Sequence, residues 1–215
     1  QGAKSPWDRP QPCPSAVIKE WAKWLHPVFA RWRGVRIDYT PPTLLIAGDS
    51  SGTMIGGKGL LSSVADTHGR LKEDPRCPPI TAFHPLTFNG VKIRHQHSSK
   101  TELFGALLLI VTYVLMNNLS DVHVKYLGDN TTAKAYINRM GGRKTAHCRI
   151  LRPFLDLLRL RRIKITMGYR SGLTMIRWGV DGLSRVTGTM NDAELTPQAR
   201  AWLFPLLHPL PTLDL

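Results

Sequence analysis

The sequence predicts an α/β layered domain in which a hairpin-first mixed sheet carries helices packed against it. Three observations predict it. Short apolar segments of strand character recur between residues 43 and 169. The first of these follow one another across turn residues, whereas the later ones are separated by helical patterns. One helical pattern, at 100–117, is apolar nearly all round, as befits a helix buried at the centre of such a domain.

Taken in order, residues 1–14 are Pro-rich and read as extended. Ser15 can cap a helix over 16–32 whose apolar stripe is Val17, Trp21, Trp24, Leu25, Val28 and Phe29, ended by Gly34. After Pro41-Pro42, "TLLIAGDSSGTMIGGKGLLSSV" reads as a buried strand, a turn and a second strand. The Pro-rich stretch 66–87 reads as an insertion loop, and "FNGVKIRH" as a third strand after an Asn-Gly turn. Ser98 and Ser99 precede the helix at 100–117, and "VHVKYLG" is a fourth strand. A short helix follows within "GDNTTAKAYINRMGG", stopped by Gly141 and Gly142. The helix at 145–162 buries Ile150, Leu151, Phe154, Leu155 and Leu158 and carries Pro153, a kinking residue. "IKITMGY" is a fifth strand; a loop leads to "WGVDGLSRV", and a last helix is expected near 197–207. There is no internal repeat.

Lys and Arg number 29 against 15 Asp and Glu, a formal net charge of +14 in 215 residues. That excess predicts a polyanionic partner, with nucleic acid first among them. The alternative is a basic surface serving solubility or an acidic protein. Cys13, Cys77 and Cys148 contain no C-x-x-C pair, which argues against a zinc site or a disulfide framework. They read as thiols of an intracellular, reducing compartment, without distinguishing cytoplasm, nucleus or organelle. The apolar run 103–116 is short and interrupted by Thr112 and Tyr113, so no membrane association is expected.

Four acids occupy comparable places. Asp49 ends the first strand, Glu102 lies in the first turn of the central helix, Asp129 ends the fourth strand, and Asp181 opens the last helix of the sheet domain. Each has a plain explanation as a turn, cap or helix-dipole residue. Together they would converge at one end of the sheet, where carboxylates repel one another unless a cation lies between them. Hard oxygen donors without Cys or His suit Mg²⁺ or Mn²⁺, and two such ions can serve phosphodiester hydrolysis.

These motifs resemble the DEDD site of ribonuclease H, and more closely that of the ribonuclease H domains of DIRS-type (tyrosine-recombinase) retrotransposons. The resemblance rests on Asp49-Ser50-Ser51-Gly52, Glu102-Leu103, the stretch from Asp129 to Gly142, and Asp181-Gly182-Leu183-Ser184-Arg185. It extends over roughly residues 15–215 and is most specific in the Asp129 stretch. It implies a ribonuclease H-like three-layer fold with a mixed five-stranded sheet and helices on both faces. It implies an N-terminal extended segment and connection helix (1–40), a ribonuclease H-like domain (41–188) and a C-terminal extension (189–215). It further implies Asp49, Glu102, Asp129 and Asp181 as metal-holding catalytic residues for two Mg²⁺ or Mn²⁺ ions. The reaction implied is cleavage of the RNA strand of RNA–DNA hybrids to a 5′-phosphate and a 3′-hydroxyl.

Nucleic-acid contacts are expected from Ser50, Ser51, Asn130, Thr131, Arg139, Arg143, Lys144, Arg149, Arg152 and Arg185. Two departures stand out: Tyr169 replaces the family's histidine, and the loop from Leu173 through Trp178 is unusually apolar. A second reading makes the chain a captured domain that binds structured RNA within a ribonucleoprotein such as an organellar ribosome; a larger polyprotein is the other expected partner.

Overall fold

The computed structural model describes residues 15–24, 42–65, 71–96 and 98–185. The chain divides into two compact units, Gln1–Gly34 and Val35–Leu215. In the first, helix α1 runs Ser15–Trp24. The expected continuation of this helix to residue 32 and the helix near 197–207 lie outside the described residues.

In the second unit the sheet is built around β1 (Leu44–Ser50), which is buried along its whole length. It pairs antiparallel with β2 (Met54–Ala65) through the turn after Asp49. On its other side β1 pairs parallel with β7 (His123–Gly128), and β7 pairs parallel with β8 (Lys164–Tyr169). Side chains alternate across a strand, so β1 serves two cores at once. Leu44 and Ile46 join the larger core with α2 (Ser98–Met116), α3 (Thr131–Arg139) and α4 (Thr145–Leu160). Leu45 and Ala47 join a smaller core with Met175 of α5 (Gly172–Arg177) and Val180 of α6 (Val180–Leu183). Helices therefore cover both faces of a mixed sheet, the three-layer α/β arrangement of a ribonuclease H-like fold.

The outer strand differs from expectation. It comes from the Pro-rich stretch read as a loop: β3 (Leu71–Glu73) and β4 (Ile80–Phe83) both lie antiparallel along the free edge of β2. They are one strand interrupted at 74–79. The interruption is tied down by Asp74, whose carboxylate takes a fork from Arg76, and by a 2.8 Å bond from Gly59 N–H to the Cys77 carbonyl. The "FNGVKIRH" segment instead makes a separate hairpin, β5 (Thr87–Phe88) and β6 (Val91–Lys92). The reason is aromatic packing: the Phe88 ring lies 5.0 Å from Phe104 and 5.1 Å from Phe154, which draws the hairpin onto α2 and α4.

Helix α2 starts at Ser98, two residues earlier than the sequence indicates, and is buried on every side from Thr101 to Leu115. Its 19 residues are long and apolar enough to cross a bilayer by composition alone, but 83% of that stretch is buried inside the domain, where it forms the centre of the core. In α3, Asn138 reaches the edge of β8 and bonds Met167 twice, its amide accepting from the N–H at 2.7 Å and donating to the carbonyl at 2.9 Å.

Helix α4 runs through Pro153 without ending. Proline has no N–H, so the carbonyl four residues earlier, that of Arg149, lacks its helical partner. The hairpin supplies one: Asn89 Nδ2 donates to the Arg149 carbonyl at 2.8 Å. Asn89 and Gly90 both hold positive φ, as a tight Asn-Gly hairpin turn requires. Asn89→Gly keeps the turn and removes the donor, so it should destabilise the protein by about 0.5–1 kcal/mol. In a Pro153→Ala background, where the helix regains its own N–H, that cost should shrink toward zero in a double-mutant cycle read by urea denaturation. Equal costs in both backgrounds would refute the coupling.

Candidate metal centre

The acids meet at the carboxyl ends of β1 and β7, over the first half of α2. Asp49 is the sixth residue of β1 and is buried. Asp129 follows β7 immediately. It is not the helix cap: Asn130 is, accepting from Ala133 N–H at 2.9 Å. Glu102 lies one turn inside α2 and is buried, its Oε1 accepting from Ser50 N–H at 3.2 Å. One carboxylate oxygen each from Asp49, Glu102 and Asp129 lies within 4.8 Å of the others. Asp181 stands beside this group without joining it. Its carboxylate takes two 2.8 Å bonds from Arg185, one helical turn on. One link between them is Ser184, whose hydroxyl donates to Asp49 Oδ2 at 2.8 Å.

The charges behave as a crowded cluster should. Burial, then the neighbouring Asp49 and Asp129 charges, push the Glu102 carboxyl well above its ordinary range. Burial and Asp49 also raise Asp129. The Arg185 hydrogen bond lowers Asp181, the one acid with its own cation. Beneath the cluster, the Tyr126 hydroxyl fills the space beside the Gly48 α-carbon and is wholly buried. Among the described residues, Tyr126 Oη, Glu102 Oε2 and Ser50 Oγ have no hydrogen-bond partner. Repelling carboxylates and an orphaned buried oxygen are what a cation would satisfy. The three acids form a cluster that can hold a metal ion, and donors that are all hard oxygens suit a divalent one.

Ionising Glu102 is therefore costly without a cation, and its raised folded pKa fixes the sign. Stability is full below the ordinary glutamate value of 4.5 and is lost as pH rises from there through the folded value. In metal-free buffer the melting temperature should carry a downward slope over that window, which Glu102→Gln removes and millimolar Mg²⁺ opposes. An unchanged slope in Glu102→Gln would assign it to other groups.

The expected nucleic-acid contacts divide in two. Ser50 is corrected: its side chain is buried against Gly105 of α2, because a strand residue next to Asp49 must face the opposite layer. Ser51 is taken up by its turn, accepting from Met54 N–H at 2.9 Å, and Asn130 by its cap. Arg185 is engaged with Asp181, although 67% of its side chain remains exposed. Thr131, Arg139, Arg143, Lys144, Arg149 and Arg152 are exposed along α3, the connection and α4, with the Arg149 guanidinium lying across the Gly90 turn.

One contributor is missed by sequence reasoning, and one buried histidine near the site turns out to be packing. Ser184, inside the quoted fourth motif, orients Asp49. His84, wholly buried, lies under the turn that follows Asp49, with its N–H bonded to the Thr53 carbonyl at 2.8 Å. Burial, opposed in part by a backbone group of Ser51 and reinforced by the Arg94 charge, pushes its pKa down to about 3. It is a neutral packing residue beside Phe104, not a proton carrier. Tyr169, at the end of β8, is exposed. The chain matches no protein-family model and no curated protein.

Proposed function

We propose that this chain is a divalent-metal-dependent nuclease of the ribonuclease H type, derived from a retroelement, that cleaves the RNA strand of RNA–DNA hybrids. The observation that carries this reading is the convergence of Asp49, Glu102 and Asp129 within 4.8 Å of one another, from two neighbouring strand ends and a buried helix. Mg²⁺ or Mn²⁺, two ions when fully loaded, would be held by these three acids with Asp181 completing the set. Bound there, the ions supply an activated water and charge stabilisation for the leaving oxygen. The protein's own part is positional. Ser184 fixes the Asp49 carboxylate, the Ser50 N–H fixes Glu102, and rigid strand ends hold the spacing. The exposed basic residues of α3 and α4 would bind phosphates flanking the cut.

One observation favours a second reading, a structural RNA-binding domain of a ribonucleoprotein. Asp181 is already neutralised by Arg185, which leaves only three acids free for metal. The test is incubation of end-labelled RNA–DNA hybrid with the purified chain and Mg²⁺, with a chelator control. Chelator-sensitive products ending in 5′-phosphate and 3′-hydroxyl support the nuclease. Intact hybrid, with the chain recovered from cells in a stable ribonucleoprotein particle, would overturn it in favour of the second reading.

A further inference from the structure

The short helix α5 presents apolar side chains to solvent at the edge of the acid cluster. Leu173 is 77% exposed and Ile176 58% exposed, three residues apart on the same outward side. The inward side is accounted for by Met175, buried in the smaller core. The helix begins at the metal centre: a methyl group placed on Gly172 would stand 3.5 Å from Asp129 Oδ2. Tyr169, also exposed, lies just before it, and exposed Arg170 and Arg177 flank the apolar pair in sequence.

We infer that α5 is a substrate-reading element, in which Leu173 and Ile176 press into the shallow minor groove of a hybrid duplex beside the scissile phosphate. This rests on the nuclease reading above. A phosphate held at Asp129 brings the adjoining nucleotides over α5, because a Cβ at Gly172, the first residue of that helix, would already lie 3.5 Å from the Asp129 carboxylate. The wide minor groove of an A-like duplex exposes sugar and base edges that aliphatic side chains can cover or wedge apart. Charge complementarity favours the same occupant, since exposed Arg170 and Arg177, on either side of the apolar pair in sequence, offer cations to the phosphates of a duplex. The arrangement thus divides the work: guanidinium groups set the position, and the apolar pair senses groove shape.

The experiment is fluorescence anisotropy of a labelled hybrid titrated with the full, unsubstituted chain in Ca²⁺, which oxygen ligands accept with looser geometry than Mg²⁺ and which is used so that the hybrid stays uncut. Adding Leu173→Ala and Ile176→Ala should weaken binding about tenfold, the effect of removing two aliphatic contacts. The slope of log affinity against log salt should stay the same, because no phosphate contact is lost. Arg170→Ala with Arg177→Ala should instead flatten that slope by about one per lost contact. Both residues of the apolar pair are exposed, so their removal leaves the melting temperature unchanged. Hybrid binding unaffected by the apolar double substitution would overturn the inference while leaving the nuclease reading intact. So would loss of self-association on that substitution, seen by sedimentation, without loss of hybrid affinity. A parent chain that binds no hybrid at all would overturn both.

Discussion

Asp129→Asn is expected to abolish metal-dependent hybrid cleavage and, in metal-free buffer, to raise the melting temperature. The two effects share one cause. Asn is nearly isosteric with Asp, so Asn130 still caps α3 and the strand end is undisturbed. What disappears is one negative charge from a group whose members raise one another's pKa. A residue that merely orients a metal ligand typically contributes ~10–100-fold. Loss of a donor from the cluster itself should exceed that, on the order of a thousand-fold in the single-turnover rate. The stability gain follows because removing one charge relieves repulsion among the remaining carboxylates. A second readout separates the readings. Mg²⁺ should raise the melting temperature of the wild type, as any ligand of the folded state does, and leave the variant unmoved. A variant that cleaves as fast as the wild type, or one that is stabilised equally by Mg²⁺, would refute the assignment of Asp129 as a donor.

The second large effect lies at Gly56. A Cβ built there would meet the Leu183 backbone carbon at 2.4 Å and the Ser184 N–H nitrogen at 2.5 Å. These are backbone atoms at the end of α6 and its cap, so no side-chain rotation can make room. Gly56→Ala should therefore lift α6 from β2, at about 2–3 kcal/mol of overpacking. For a domain of this size that is a fall in melting temperature of roughly 5–10 °C. The displacement would also break the hydrogen bond from Ser184 to Asp49 and move Asp181, so Mg²⁺ affinity should fall together with stability. Metal affinity equal to wild type in a folded Gly56→Ala protein would show that α6 has no part in shaping the centre.

Much of the site was legible because it is encoded locally. Asp49 and Asp129 each end an apolar run, and Glu102 lies on a helix whose composition fits only a core position. The exposed basic residues of α3 and α4 follow from helical periodicity. Two errors arise where distant segments decide the outcome, and two others run against local rules. Prolines at 75, 78 and 79 suggest a loop, but they only interrupt an edge strand whose partners on β2 are in place. Phe88 has strand-like neighbours, yet its ring is claimed by Phe104 and Phe154. Ser50 was assigned to substrate despite being adjacent to Asp49 on one strand, where period-two alternation already sends it to the opposite layer. The Asp181–Arg185 pairing was open to inspection as an i,i+4 spacing, and the motif reading obscured it.

The Asn138 bonds to Met167 carry a consequence for how copies of this chain behave toward one another. An open sheet presents backbone groups at its borders, and those groups can recruit a strand from another molecule. At the β8 border, one side-chain amide occupies both the donor and the acceptor of Met167, imitating a neighbouring strand at a single residue. At the opposite border, the break at 74–79 keeps β3 and β4 too short and too discontinuous to template an addition. The same two devices that look like local irregularities in the fold thus act as barriers to fibrous growth, which matters for a chain whose centre is as apolar as α2.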